Sequence, residues 1–175
     1  MRHLHRSNKN APYDPQFRTV LDRISSGEEV ADREFDEYLP AAARAYTKTH
    51  WTSIGVARRA AELLVTANHT RILDIGSGVG KFSLIGALTT KGHFTGIERN
   101  SSLIAIAKAL VQRGGVARSA FLCADVLEID WQPWDAYYLF NPFAAWFEPT
   151  TKGVAVKNIT GDRQAAMAVS YTHLR

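Results

Sequence analysis

The residues with the clearest chemical potential are grouped in one short segment, where closely spaced glycines follow an aspartate. Asp74 precedes Gly76, Gly78 and Gly80, and Ser77 stands between the first two glycines. Glycines let the backbone turn sharply and let a ligand lie against the main chain without meeting a Cβ atom. An apolar run leads into the segment and a helical pattern follows it. The segment is therefore typical of a ligand-binding loop between a buried strand and a helix.

Two well-known glycine-loop patterns do not fit this segment. The dinucleotide fingerprint G-x-G-x-x-G requires a glycine at the position of Lys81. The phosphate loop G-x-x-x-x-G-K-[ST] requires a glycine at the position of Ile75 and a hydroxyl residue at the position of Phe82. The observed spacing, D-x-G-x-G-x-G, therefore calls for a different ligand.

Acidic or amide side chains also lie in or just after three later apolar runs. They are Glu98 in residues 93–98, Asp125 with Val126 in residues 120–126, and Asn141 in residues 136–143. Because the carboxyl ends of parallel strands meet at one edge of a sheet, we expect these residues to lie near the glycine loop. A carboxylate at Glu98 can accept hydrogen bonds from both hydroxyls of a ribose.

The elements that position these residues alternate between strand and helix. Helical patterns at residues 54–67, 81–90 and 101–115 separate the apolar runs, and Ser101 or Ser102 is expected to cap the last of these helices. This alternation predicts an α/β, Rossmann-like, doubly wound and mostly parallel sheet with helices on both faces, incomplete after the fourth strand. Residues 1–50 are interpreted as a helical N-terminal extension, and residues 51–168 as the sheet domain.

The four motifs, taken in order, resemble those of the class I S-adenosylmethionine-dependent methyltransferases over roughly residues 50–147. The resemblance implies S-adenosyl-L-methionine as the cofactor and a methyltransferase activity. It places Asp74, Gly76, Ser77, Gly78 and Gly80 beside the methionine and ribose, Glu98 on the ribose hydroxyls, and Asp125 with the backbone of Val126 at the adenine. Members of the family often build part of the pocket from the region of His50 and Trp51, and the alternative is a packing Trp with a surface His. Asp74 as an organiser of the loop and Asp125 as a turn cap remain open alternatives.

The segment Asn141-Pro142-Phe143 is the candidate for the catalytic side of the site. It is similar to a segment of methyltransferases acting on planar nitrogens, in which an Asn or Asp, two prolines and an aromatic hold the acceptor. The resemblance implies that Asn141 accepts hydrogen bonds from the target nitrogen and that Phe143 stacks on the plane of the substrate. This chain has one proline in the segment instead of two. The alternative is an Asn-Pro turn with Phe143 in the core.

The motifs leave the methyl acceptor unidentified among RNA, protein and small molecules. A second hypothesis is a nucleotide-binding oxidoreductase or a non-catalytic binding module on the same fold, because a fold alone does not fix a function. The net charge of +4 would suit a nucleic acid, but the basic residues are scattered along the 175-residue chain. The charge therefore does not decide between acceptors.

Composition excludes several other classes of protein. Hydrophobic residues make up 46% and charged residues 22%, which is the balance of a globular protein. No apolar run approaches the roughly 18 residues that a membrane span needs. Cys123 is the single cysteine and the histidines lack metal-ligand spacing, so we expect no disulfide, no metal site and a cytoplasmic protein.

The end of the chain has an unusual sequence. Residues 169–175 read VSYTHLR, which resembles the conceptual translation of a transposon end used to prepare DNA libraries. We expect this segment to be a non-native tail and the native protein to continue beyond residue 168. On that interpretation residues 1–168 would express poorly or bind the cofactor weakly, and the fragment itself would be inactive.

Overall fold

A parallel sheet lies at the centre of the computed structural model, which describes residues 13–140 and 166–169. Its strands run in the order β3-β2-β1-β4-β5, and every neighbouring pair is parallel. The strands are β1 (Arg71–Ile75), β2 (His93–Glu98), β3 (Ser119–Cys123), β4 (Ala136–Leu139) and β5 (Ala166–Val169). The parallel pairing confirms the predicted Rossmann-like α/β class.

Seven α-helices and one 3₁₀ helix occur in the described residues. They are α1 (Pro15–Ser25), α2 (Asp32–Asp36), α3 (Ala41–Arg44), α4 (Thr47–His50), α5 (Ile54–Leu64), α6 (Lys81–Thr89), α7 (Ser101–Gly114) and the 3₁₀ helix Val126–Glu128. No described helix has the length and apolar character needed to cross a membrane.

One face of the sheet carries the main core. Successive side chains of a strand point to opposite faces, so Ile72 and Phe94 meet the helices while Leu73 and Ile97 face the other side. Apolar residues of α1, α5, α6 and α7 pack on the first face. The described part of the predicted N-terminal extension belongs to the same core, because Phe17 of α1 is fully buried in it.

The opposite face has a smaller apolar cluster. Leu73, Ile75 and Ile97 are buried there beneath the segment 126–134, which contributes Trp131 and other partly buried side chains. Within the described residues, then, the α-helices contact one face and an irregular segment with one 3₁₀ turn covers the other. The sequence predicts helices on both faces, and the helices of the described residues account for one of them.

The structure corrects three local expectations. Asn100, not Ser101 or Ser102, caps α7, and its side-chain oxygen accepts from the amides of Ser102 and Leu103 at 2.9 and 3.4 Å. Strands β3 and β4 end earlier than predicted, at Cys123 and Leu139. The fifth strand was not predicted. It extends to Val169, the first residue of the segment that the sequence analysis assigned to a non-native tail.

Gly96 in the middle of β2 offers a test of the core packing. A Cβ atom at this position would lie 2.5 Å from Phe121 and 2.7 Å from Ser77. We expect Gly96→Ala to lower the free energy of unfolding by about 2 kcal/mol through overpacking. A Cβ atom at Gly55 of α5 meets nothing within 4 Å. The matched variant Gly55→Ala is therefore expected to gain about 0.5–1 kcal/mol.

Urea unfolding measures both changes. Equal stabilities for the two alanine variants would contradict the packing described around β2.

Candidate functional site

The glycine loop connects the end of β1 to the start of α6. Gly76, Gly78 and Gly80 all have positive φ angles, of 71°, 54° and 79°, which side chains other than glycine adopt only with strain. The backbone amides of Gly76 and Ser77 both donate to the carbonyl of Ile97 at 2.9 Å. The loop is therefore fixed to the end of the neighbouring strand β2.

Glu98, the last residue of β2, is in direct contact with this loop. One carboxylate oxygen accepts from the amide of Gly78 at 3.3 Å, and the other accepts from the amide of Asn100 at 2.9 Å. The side chain is only partly buried. Because each carboxylate oxygen can accept more than one hydrogen bond, both oxygens keep acceptor capacity for a ligand. The predicted juxtaposition of Gly78 and Glu98 at one edge of the sheet is therefore present.

Asp74 lies beneath the loop and is buried. Its carboxylate accepts from the hydroxyl of Ser83 in α6 at 2.7 Å. Burial raises the pKa of Asp74 to about 7, the hydrogen bond from Ser83 opposes this rise, and the nearby charge of Glu98 adds to it. A carboxylate with such a pKa can lose its proton when a cation binds beside it.

Asp125 and Val126 follow β3 at the same edge. The amide of Ala124 donates to the carbonyl of Glu98 at 3.2 Å, which places this turn beside the end of β2. The side chain of Asp125 caps the 3₁₀ helix by accepting from the amide of Leu127 at 3.0 Å, and it lies 3.5 Å from the guanidinium of Arg99. The capping alternative for Asp125 therefore holds in this structure, and its contact with an adenine remains a prediction.

A small cleft opens where the loop meets the segment before α5. Residues of the loop, together with His50, Trp51, Thr52, Tyr138 and Phe140, line it. The indole N–H of Trp51 donates to the carbonyl of Ala43 at 2.9 Å, and a Cβ atom at Gly78 would lie 2.6 Å from the indole ring. His50 is exposed at the rim. The loop and Trp51 are thus in such close contact that only glycine fits at Gly78.

The cleft has polar groups that suit a ligand with hydroxyl and amino groups. The hydroxyl of Ser77 is buried at the cleft and has no hydrogen-bond partner among the described residues. An unpaired buried hydroxyl costs free energy that a polar ligand would recover. Asp74 also lines the cleft, and Glu98 contacts Gly78 of the same loop, so the polar groups of this region suit a nucleoside that carries an amino acid.

Sequence reasoning missed three residues of this region. Lys81 served only to exclude a dinucleotide fingerprint, yet it is buried behind the loop and paired with carboxylates of α2. Thr52 and Tyr138 share a buried hydrogen bond of 2.9 Å between their hydroxyls, and burial raises the pKa of Tyr138 to about 12. Partners this far apart in the chain leave no spacing signal.

Two other predicted features have a limited structural outcome. Asn141 and Phe143 lie outside the described residues. Over residues 13–140 and 166–169, no three His, Cys, Asp or Glu side chains are grouped closely enough to hold a metal ion.

Comparison with known proteins gives a family for part of the chain. Residues 66–151 match the family model of a methyltransferase domain. No curated protein matches the chain.

Solved structures that resemble the chain include three in complex with S-adenosyl-L-homocysteine. An RNA methyltransferase from Salinibacter ruber is 28% identical with a TM-score of 0.47, and the match covers 51% of this chain and 61% of that one. The tRNA (uracil-54, C5)-methyltransferase of Pyrococcus abyssi is 27% identical with a TM-score of 0.43, and the match covers 49% of this chain and 20% of that one. An S-adenosylmethionine-dependent methyltransferase of Thiobacillus denitrificans is 21% identical with a TM-score of 0.47, and the match covers 57% of this chain and 43% of that one. The chain thus spans between about one fifth and three fifths of the length of these structures.

Proposed function

We propose methyl transfer from S-adenosyl-L-methionine as the activity of this chain, whose residues 66–151 match the family model of a methyltransferase domain. The family match confirms the resemblance that the sequence motifs indicated. The cofactor of this class is S-adenosyl-L-methionine.

The contact between Gly78 and Glu98 carries the proposal for this chain's own residues. A ribose that lies against the backbone of Gly78 has its hydroxyls within reach of the carboxylate 3.3 Å from that amide. Bidentate acceptance by a carboxylate is both strong and geometrically selective. We therefore assign Glu98 to the ribose and the loop of Gly76, Ser77, Gly78 and Gly80 to the ribose and methionine.

When bound, the cofactor supplies an activated methyl group and a sulfur leaving group. The chain contributes binding and orientation. Asp74, whose pKa is raised to about 7, can ionise beneath the loop when the cationic end of the ligand binds, and Trp51 lines the cleft. Asp125 and the backbone of Val126 are assigned to the adenine, next to the end of β2. Alignment of this kind accounts for a large part of the rate enhancement in displacement reactions.

The methyl acceptor is proposed as a nitrogen nucleophile. The support is the sequence Asn141-Pro142-Phe143, which follows β4 by two residues. Asn141 would accept hydrogen bonds from the target nitrogen, and Phe143 would stack on the plane of the substrate. The acceptor itself belongs to an RNA, a protein or a small molecule. Mass spectrometry of a methylated product that carries the label on oxygen or carbon would contradict the nitrogen assignment.

Ligand-induced thermal stabilisation tests the cofactor assignment against an oxidoreductase. We expect S-adenosylhomocysteine to raise the melting temperature of the chain and NAD to leave it unchanged, because a ligand that binds only the folded state stabilises it. Arg59→Ala is a matched control variant, since this side chain is 72% exposed on α5. It is expected to keep the full shift. A shift with NAD alone would favour the oxidoreductase.

A further inference from the structure

A buried lysine behind the glycine loop is paired with two carboxylates from the N-terminal helices. Lys81 is the first residue of α6, and its side chain is only 2% exposed. Its ammonium donates to Asp32 at 2.7 Å and to Asp36 at 2.9 Å, and it lies 5.2 Å from the ring centre of Phe35. Asp32, Phe35 and Asp36 share one face of α2, as their spacing of three and four residues requires.

Stability alone does not explain this arrangement. Replacing a buried ion pair by apolar residues of similar volume is often neutral or stabilising, so a buried charge at the start of α6 is not a requirement of packing. One carboxylate oxygen of Asp36 is buried without a hydrogen-bond partner among the described residues, which adds a cost. The pair is therefore better explained by a contact that an apolar side chain could not make.

The contact that matters is a bridge through Asp32. The same oxygen that accepts from Lys81 also accepts from the amide of Ile54 at 2.8 Å. Ile54 begins α5, immediately after the segment 51–53. Within that segment Trp51 packs against Gly78, and the hydroxyl of Thr52 bonds to Tyr138. One carboxylate thus joins α2, the start of α5 and the start of α6.

We infer that Lys81 is a positioning residue for cofactor binding, which acts through Asp32 to hold Trp51 and Thr52 at a fixed distance from the glycine loop. The inference rests on the proposed function, because it assigns the cleft between these parts to the cofactor. Lys81 also lines the cleft, but its ammonium is bonded to Asp32 and Asp36 of α2, so we assign its effect to these carboxylates and not to a contact with the ligand. Without the Lys81 ammonium, the distance of Trp51 and Thr52 from the glycine loop varies more, and this weakens binding of the cofactor.

Lys81→Met removes the charge and keeps the length of the side chain. We expect this variant to bind S-adenosylhomocysteine at least tenfold more weakly by calorimetry. In the ligand-free protein, we expect the amide hydrogen of Ile54 to exchange at least tenfold faster. The amide of Ile104 in α7, which donates to the carbonyl of the capping residue Asn100, is the internal reference for exchange.

A double variant separates positioning from stability. Lys81→Met leaves Asp36 buried and uncompensated, so the single variant also unfolds more readily. Lys81→Met with Asp36→Leu removes both buried charges, and we expect its melting temperature to return to near the wild-type value. Binding of S-adenosylhomocysteine is expected to stay at least fivefold weaker, because the link from α6 to Asp32 is still absent. Wild-type affinity in the double variant would overturn the inference.

Arg113→Met is the matched control for loss of a partly buried ion pair elsewhere. Arg113 of α7 donates to Asp14 at 2.6 Å and lies over the rings of Phe17 and Tyr38, away from the cleft. We expect a lower melting temperature with less than a twofold change in affinity. Wild-type protein that binds no S-adenosylhomocysteine would overturn the proposed function. Unchanged exchange at Ile54 in Lys81→Met would overturn the positioning role by itself.

Discussion

Replacing Glu98 by alanine lowers the affinity for S-adenosylhomocysteine by about 2–3 kcal/mol, which is roughly 30- to 160-fold. The expected loss is large because the carboxylate would accept from both ribose hydroxyls while it also accepts from the amide of Gly78. Isothermal titration calorimetry at constant pH and salt measures it. An unchanged affinity would remove Glu98 from the site.

Glu98→Gln is the variant that separates ligand contact from loop structure. Glutamine keeps one oxygen acceptor of the same reach, so the bond from Gly78 can persist while the charge and the second acceptor are lost. We expect an affinity between those of the wild type and the alanine variant. The melting temperature of each ligand-free variant reports whether the loop itself has been disturbed. Weak binding by both variants at unchanged melting temperature supports direct contact with the ribose.

Asp74→Asn is expected to make the fold more stable at pH 8 while it weakens cofactor binding. The buried carboxyl has a pKa raised to about 7, so its ionised form is disfavoured in the folded state. Because the folded-state pKa exceeds the unfolded value of 3.8, the wild-type free energy of unfolding falls as the pH rises from about 4 to about 7. The full rise in the pKa of Asp74 corresponds to a loss on the order of 4 kcal/mol in the free energy of unfolding.

Asparagine avoids this cost, but its buried amide group has two N–H donors that need hydrogen-bond acceptors. We therefore expect a net gain of about 1–2 kcal/mol at pH 8 and little gain at pH 4. Urea unfolding of both proteins at several pH values measures the difference. Ser83→Ala is the companion variant: it removes the hydrogen bond that lowers the pKa of Asp74, so the pH-dependent loss should extend to higher pH. A pH-independent difference between wild type and Asp74→Asn would contradict the raised pKa.

Local signals in the sequence predicted the elements that carry the site. Residues 93–98 were predicted as a strand and form β2 with those bounds. Gly115, at the predicted end of the last helix, has a φ of 58° and terminates α7. Such features depend on neighbouring residues only. They were therefore accessible from a single sequence.

Contacts between distant residues were not accessible in the same way. The bond between Thr52 and Tyr138 joins positions 86 residues apart, and the ion pair of Lys81 with Asp32 joins positions 49 apart. The strand Ala166–Val169 is a run of four small or apolar residues, which is indistinguishable by pattern from many loops until β4 pairs with it. At the cap of α7, Asn100 and Ser101 are both good capping residues, and backbone geometry selected Asn100.

The bridge through Asp32 has a consequence for engineering. A graft that begins at residue 51, where the sequence suggests that the sheet domain starts, would transplant the glycine loop without the two aspartates that neutralise Lys81. The orphaned ammonium would then have to reach solvent, and the backbone around it would have to move. A minimal module for recombination or ligand screening should therefore retain α2, because Asp32 and Asp36 of this helix neutralise the lysine that lies behind the glycine loop.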